Sequence, residues 1–213
     1  MPDPNSILSS LSRIANDAFV FALVWHLLGA VAWLGWLAGV RLRQRTAALL
    51  SYAPLASVSA FAWAYGNPFN GLVFTALTAV LVGLALRGPN DWLTRSAGWR
   101  LLLGLALLAF AWVYPHFLAA RFPWLAYSFA SPMGLLPCPT LSLVIGLTLL
   151  GSMPAGRASA HILASAGLFY GAWGAFRLGV ALDLALLAGA IGLFAAAWRL
   201  QPRAAHVQAR TAT

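Results

Sequence analysis

Long apolar runs, each closed by a short break rich in Arg, Gly, Pro or Asn, repeat along nearly the whole chain. A membrane-crossing helix needs about 20 mostly apolar residues, and the runs at 18–40, 47–65, 71–86, 101–114, 141–153, 158–176 and 178–198 read as spans. The breaks between them are RLRQR at 41–45, GNPFNG at 66–71, RGPNDWLTRSAGWR at 87–100 and PAGR at 154–157. Before the first run, Ile7, Leu8, Leu11 and Ile14 recur at helical spacing, which predicts a short interfacial anchoring helix. The pattern therefore predicts an all-α, polytopic transmembrane bundle of about seven short spans. Residues 1–17 form an interfacial segment, 18–199 the membrane domain and 200–213 a polar tail.

Two stretches of small residues predict close helix approach: Gly35 and Gly39 at GxxxG spacing, and Gly167, Gly171 and Ala175 at four-residue intervals. The run at 141–153 is too short to cross alone, covering about 20 Å of a ~30 Å hydrocarbon core. The segment before it, 114–140, is broken by Pro115, Pro123, Pro132, Pro137 and Pro139, yet is rich in aromatic and aliphatic residues. A helix is expected to start at Pro137 to Thr140 below the surface, with Cys138 as its N-cap and Pro139 at its first position. Buried irregular backbone needs protein cover, and 117–133, folded back with Trp124 and Tyr127 at the interface, is the expected source.

Composition sharpens the class. Apolar residues make up 62% of the chain and charged residues 8%, with mean hydropathy +0.82, far from soluble domains. The formal charge is +9, all of the basic residues being arginines placed in the short breaks, where the positive-inside rule puts them. No nucleic-acid partner is expected; the partners are the bilayer, anionic lipid head groups at the arginine loops, and further copies or partner membrane subunits. The N-terminal segment lacks a basic n-region and a cleavage site, so the first run is expected to remain as a span. With the N-terminus outside, Arg41, Arg43, Arg45, Arg87, Arg95, Arg100, Arg157, Arg199, Arg203 and Arg210 face the cytoplasm, and Arg13, Arg121 and Arg177 lie outside. That orientation puts the C-terminus in the cytoplasm and 114–140 on the outer face of a bacterial inner membrane.

Tyr114-Pro115, then Pro137-Cys138-Pro139-Thr140, then Gly146 resemble the signature of an uncharacterised bacterial family of small multi-pass membrane proteins. In that family a Tyr-Pro pair precedes PCPT or PDPT, and a Gly follows the Thr by six residues. The resemblance covers the middle of the chain. It implies a permease-like role, from the label some members carry, and no defined chemistry or cofactor.

The candidate pocket residues are His26, His116, Cys138 and Asp183, with Trp124 and Tyr127 as lining aromatics. Ionisable groups inside spans are costly and face a cavity or a partner, and at the predicted depths all four ionisable groups share the outer layer. The bland alternatives pair His26 with a backbone carbonyl, Asp183 with Arg177, and make Cys138 a small packing residue. His161 and His206 fall on the cytoplasmic side and in the tail. A b-type haem on His26 and His116, or a soft-metal site from His26, His116, Met133 and Cys138, are weaker alternatives. No cofactor is assigned, and no nucleophile-elbow, zincin or phosphate-loop motif points to an enzyme. Three functions remain open: a small-solute or ion permease with an outer-facing pocket, a non-catalytic accessory or anchor subunit, and a metal or quinone redox subunit.

Overall fold

Backbone N–H and C=O groups in hydrocarbon must be paired within their own segment, so so apolar a chain should be helix throughout. The computed structural model, which describes residues 4–199, has that character. Its helices are α1 (Pro4–Asp17), α2 (Phe19–Leu37), α3 (Gln44–Ala64), α4 (Pro68–Arg87), α5 (Trp99–Val113), α6 (Tyr127–Ala130), α7 (Pro137–Leu150), α8 (Gly156–Ala172) and α9 (Asp183–Arg199). A 3-10 turn, Trp124–Ala126, leads into α6, and a π-type turn, Trp173–Arg177, follows α8. The predicted tail at 200–213, with His206, Arg203 and Arg210, lies outside the described residues.

Three helices, α2, α3 and α4, are long and apolar enough to cross a membrane. The protein is thus a helical membrane protein. α4 is longer than the run at 71–86 suggests, because the turn formers of GNPFNG start it. The Asn67 side chain accepts from the Asn70 N–H (3.2 Å) and Pro68 occupies the first turn, where its missing N–H costs nothing. α2 and α3 both end on a left-handed glycine, Gly39 (φ 83) and Gly66 (φ 70). At Gly39 the N–H of Val40 reaches Gly35 O (2.9 Å) and that of Gly39 reaches Trp36 O (3.2 Å), a Schellman end. Gly35 and Gly39 thus form a helix stop, and among the described residues a Cβ on either would meet no neighbouring helix within 4 Å.

The pairs α2–α3, α3–α4 and α8–α9 run antiparallel. Trp25 meets Ser57 across α2 and α3, Ser59 meets Thr75 across α3 and α4, and His161 meets Phe194 across α8 and α9. The runs at 158–176 and 178–198 are accordingly two separate helices. Gly167 and Gly171 fit against Ala190 and Leu187 of α9, as the spacing predicts, but Gly174 rather than Ala175 continues the seam.

The centre of the bundle is α7, buried along most of its 14 residues. Gly146 of α7 and Gly104 of α5 cross so closely that a Cβ on either would lie 3.0 Å from the other's carbonyl oxygen. The main core joins α3, α4, α7, α8 and α9 through Leu55, Phe74, Leu81, Ile145, Leu163 and Leu193. A short helix is tolerated here because its surroundings are protein, not lipid.

Candidate functional site at one end of the bundle

The site is assembled where α5 ends and where α7 and α9 begin. Proline disfavours helical backbone in the residue before it, so Pro115 stops α5 and leaves Tyr114, fully buried, at its end. The chain then turns tightly, with the His116 N–H on Tyr114 O (2.8 Å).

Residues 131–136 pass through the interior and are all buried. Each polar contact of this passage has an internal partner. Ser131 Oγ donates to Ala111 O (3.0 Å), and the N–H groups of Leu135 and Leu136 donate to Pro132 O (3.1 and 3.0 Å). Gly134 donates its N–H to Thr140 Oγ1 (2.9 Å), which itself donates to Leu136 O (2.6 Å). Ser57 Oγ donates to Gly134 O while accepting from Trp25 Nε1. At φ 78, with the Trp25 indole where a Cβ would stand, position 134 admits only glycine.

α7 starts two residues earlier than the sequence suggests. Leu136 is its N-cap, with extended backbone (φ −113, ψ 150), and Pro137 its first residue. Cys138 is therefore not a cap. The first N–H groups of a helix have no intrahelical acceptor; prolines at 137 and 139 remove two of them, leaving Cys138 as the one donor among those three positions. Part of the cover comes from the expected segment, Phe117, Leu118 and Ala130 packing in one cluster with Leu135 and Leu136. Trp25, Ser57 and the end of α5 supply the rest, and Trp124 is 75% exposed.

Asp183, the first residue of α9, is 2% exposed. Tyr114 Oη donates to its Oδ1 (2.7 Å) and the Cys138 thiol to its Oδ2 (3.1 Å). The alternative pairing of Asp183 with Arg177 does not form. Instead the π-type turn folds the chain back, with Val180 N–H on Gly174 O (2.9 Å), and presses Gly174 against the carboxylate so closely that a Cβ there would collide with it. In the same layer Tyr170 Oη donates to Asn70 Oδ1 (2.8 Å), tying α8 to the start of α4.

Of the residues singled out in the sequence, Cys138 and Asp183 meet, joined by Tyr114, and Thr140 and Gly146 hold the helix that carries Cys138. His26 and His116 do not join them. His26 Nδ1 lies 2.8 Å from Ala22 O and Nε2 2.9 Å from Trp112 O, so each ring nitrogen faces a backbone carbonyl oxygen and neither is open to an iron or copper ion. The carbonyl alternative for His26 is the one found. His116 lies in a separate open groove of about 460 Å³ lined by Leu8, Ser9, Ser12, Phe117, Leu118 and Tyr127. Burial beside Phe117 holds its imidazole below the ordinary range. Met133 is buried near Gly29. Among the described residues no three His, Cys, Asp or Glu side chains stand close enough to share a metal ion.

Asn70, Tyr170, Gly174 and Ser57 are site residues that sequence reasoning passed over. Asn70 was read as part of a turn, although a second Asn inside the first turn of an apolar helix is a polar group that needs a partner. No family model, curated protein or solved structure matches the chain, so its function is read from this geometry.

Proposed function

We propose that the protein is a multi-pass permease for a small solute or ion, with Asp183 as the ionisable group of its site. One observation carries this reading: a buried carboxyl without a basic partner among the described residues, held by two neutral donors where three helix ends converge. Such groups within membranes mark substrate or ion pathways. Two of the three ends are irregular, as in transporters built on discontinuous helices, and π-type turns recur at functional sites. In this reading α2, α3, α4, α5, α7, α8 and α9 all span, and the permease label of the resembled family agrees.

Orientation follows from charge. Arg13, Arg121 and Arg177 belong to the Asp183 end, and Arg41, Arg43, Arg45, Arg87, Arg95, Arg100, Arg157 and Arg199 to the other. The positive-inside bias assigns the second group to the cytoplasm of a bacterial inner membrane and Asp183 to the outer half.

The test is uptake by oriented proteoliposomes across a panel of cations, amino acids and sugars, wild type beside Asp183→Asn. Uptake of one solute that the variant loses at unchanged folded yield supports the reading. No uptake across the panel, or equal uptake by the variant, overturns it. An accessory subunit is the second reading, favoured by α2, of which only Ala22 and His26 are buried while Val20, Val24, Leu27 and Val31 face outward. A stoichiometric membrane partner recovered in mild detergent, and lost on polar substitution of that face, would establish it.

A further inference from the structure

The end opposite Asp183 carries a second ordered arrangement, built by two loops that pair as extended chain. Gln44 N–H donates to Asp91 O (2.8 Å) and Leu93 N–H to Leu42 O (2.9 Å), which sets Arg43 opposite Trp92. Residues two apart on extended backbone share a face. Arg41 and Arg43 accordingly both lie over the Trp92 indole, their guanidinium carbons 5.1 and 5.0 Å from its centroid. Arg95 stacks on Trp36 alongside, at 4.4 Å, and donates to its carbonyl (3.3 Å).

Two positive charges on one ring repel each other. Among the described residues no carboxylate lies within ion-pair distance to offset this; Asp91, exposed in the same loop, contributes its backbone carbonyl to the pairing. Arg43 spends one N–H on Asn90 O (3.0 Å). Over the indole each guanidinium still has further N–H groups to donate, and such a fork takes a phosphate through two parallel hydrogen bonds. Exposed apolar side chains flank the pair: Val40 is 56% and Leu42 37% exposed, and Trp92 and Trp99 are 47% and 44% exposed, the residue type of an aromatic belt. Phosphate recognised beside aliphatic surface describes a lipid head group with its acyl chains rather than a free anion.

We infer that Arg41, Arg43 and Trp92, with Arg95 beside them, form a site for the phosphodiester of an anionic phospholipid. Nothing in it depends on transport.

Native mass spectrometry of the full-length protein, titrated with phosphatidylglycerol and with phosphatidylcholine of the same acyl chains, reads this directly. Phosphatidylglycerol should be retained preferentially, and Arg41→Gln with Arg43→Gln should weaken it by about 25-fold, each interfacial arginine being worth about fivefold. The charge-matched pair Arg87→Gln with Arg157→Gln, outside the clamp, should change it by no more than about twofold, since screened charges farther away contribute little. Should the glutamine pair reduce folded yield, Arg41→Lys with Arg43→Lys keeps both charges and removes the fork; it should still lose affinity. Equal retention of the two lipids, equal loss in the two glutamine pairs, or full affinity in the lysine pair overturns the site. Displacement of phosphatidylglycerol by millimolar inorganic phosphate would assign it to a free anion and overturn the lipid reading.

Discussion

Replacing Tyr114 by Phe removes one oxygen and little volume from a fully buried position. The lost group is the donor 2.7 Å from Asp183 Oδ1, and the acceptor it abandons is 2% exposed, out of reach of replacement water. Hydrogen bonds to charged groups contribute about 1.5–3 kcal/mol and a stranded buried acceptor costs about 1–3 kcal/mol, so Tyr114→Phe should destabilise the fold by about 2 kcal/mol. Cys138→Ala should cost less, because a thiol is a weak donor. Asp183→Leu alone strands the Tyr114 hydroxyl, yet the double variant Tyr114→Phe with Asp183→Leu strands neither group. The pair should therefore be strongly non-additive, with about 1–2 kcal/mol of coupling. Reversible unfolding from mixed micelles by a denaturing detergent, followed by tryptophan fluorescence, measures all four corners of the cycle. Additive losses, or a Tyr114→Phe cost under about 0.5 kcal/mol, would show that the hydroxyl and carboxyl do not depend on each other.

At position 138, Ser retains a donor toward Asp183 and should stay within about 1 kcal/mol of wild type, while Asp sets carboxyl against carboxyl and should fold worse, the reverse of what a capping role implies; thermal stability of the purified variants ranks them. Gly134→Ala should cost at least about 2 kcal/mol from its left-handed backbone and the overlap with Trp25, and Gly146→Ala about 1–3 kcal/mol from the α5–α7 crossing, both read as lost folded yield in membranes. His116 binds its proton less readily folded than unfolded, so the unfolded chain takes up more protons near and below pH 6.5 and stability falls as pH drops through that range; His116→Gln should flatten this slope in melts taken from pH 8 to pH 5. A C-terminal reporter should read cytoplasmic and one inserted at Ala126 external; the opposite pair would invert the proposed orientation.

Helical class was legible because hydropathy acts over whole segments, and the segment boundaries followed from breakers whose effect is local. Asn67-Pro68 sets a helix start by capping and the proline ring, Tyr114-Pro115 sets a helix end by backbone sterics, and the α8–α9 glycine seam followed from spacing. Gly39 shows the limit: one glycine at a run's end fits a packing seam and a Schellman stop equally well, and only its φ of 83° decides. The site was half legible. Asp183 and Cys138 stand out as chemical types, but their meeting depends on how α7 and α9 sit side by side, across 45 residues of sequence. His26 stood out for the same reason as Asp183 and proved to be tied to two carbonyls, because a lone residue type does not reveal its acceptors.

The enclosure of α7 bears on how the protein is made. With 14 residues it rises about 21 Å, and its ends carry buried Pro, Thr and Ser side chains that lipid would not receive. α3 and α5 precede it from the ribosome, but α8 and α9, which close its other side, come after it. During synthesis α7 therefore has half of its final surroundings, and it settles only when the α8–α9 hairpin arrives. Biogenesis then hinges on the last hairpin: a chain truncated before Gly156 should be held at the insertion machinery or degraded, although its three longest apolar helices are already complete.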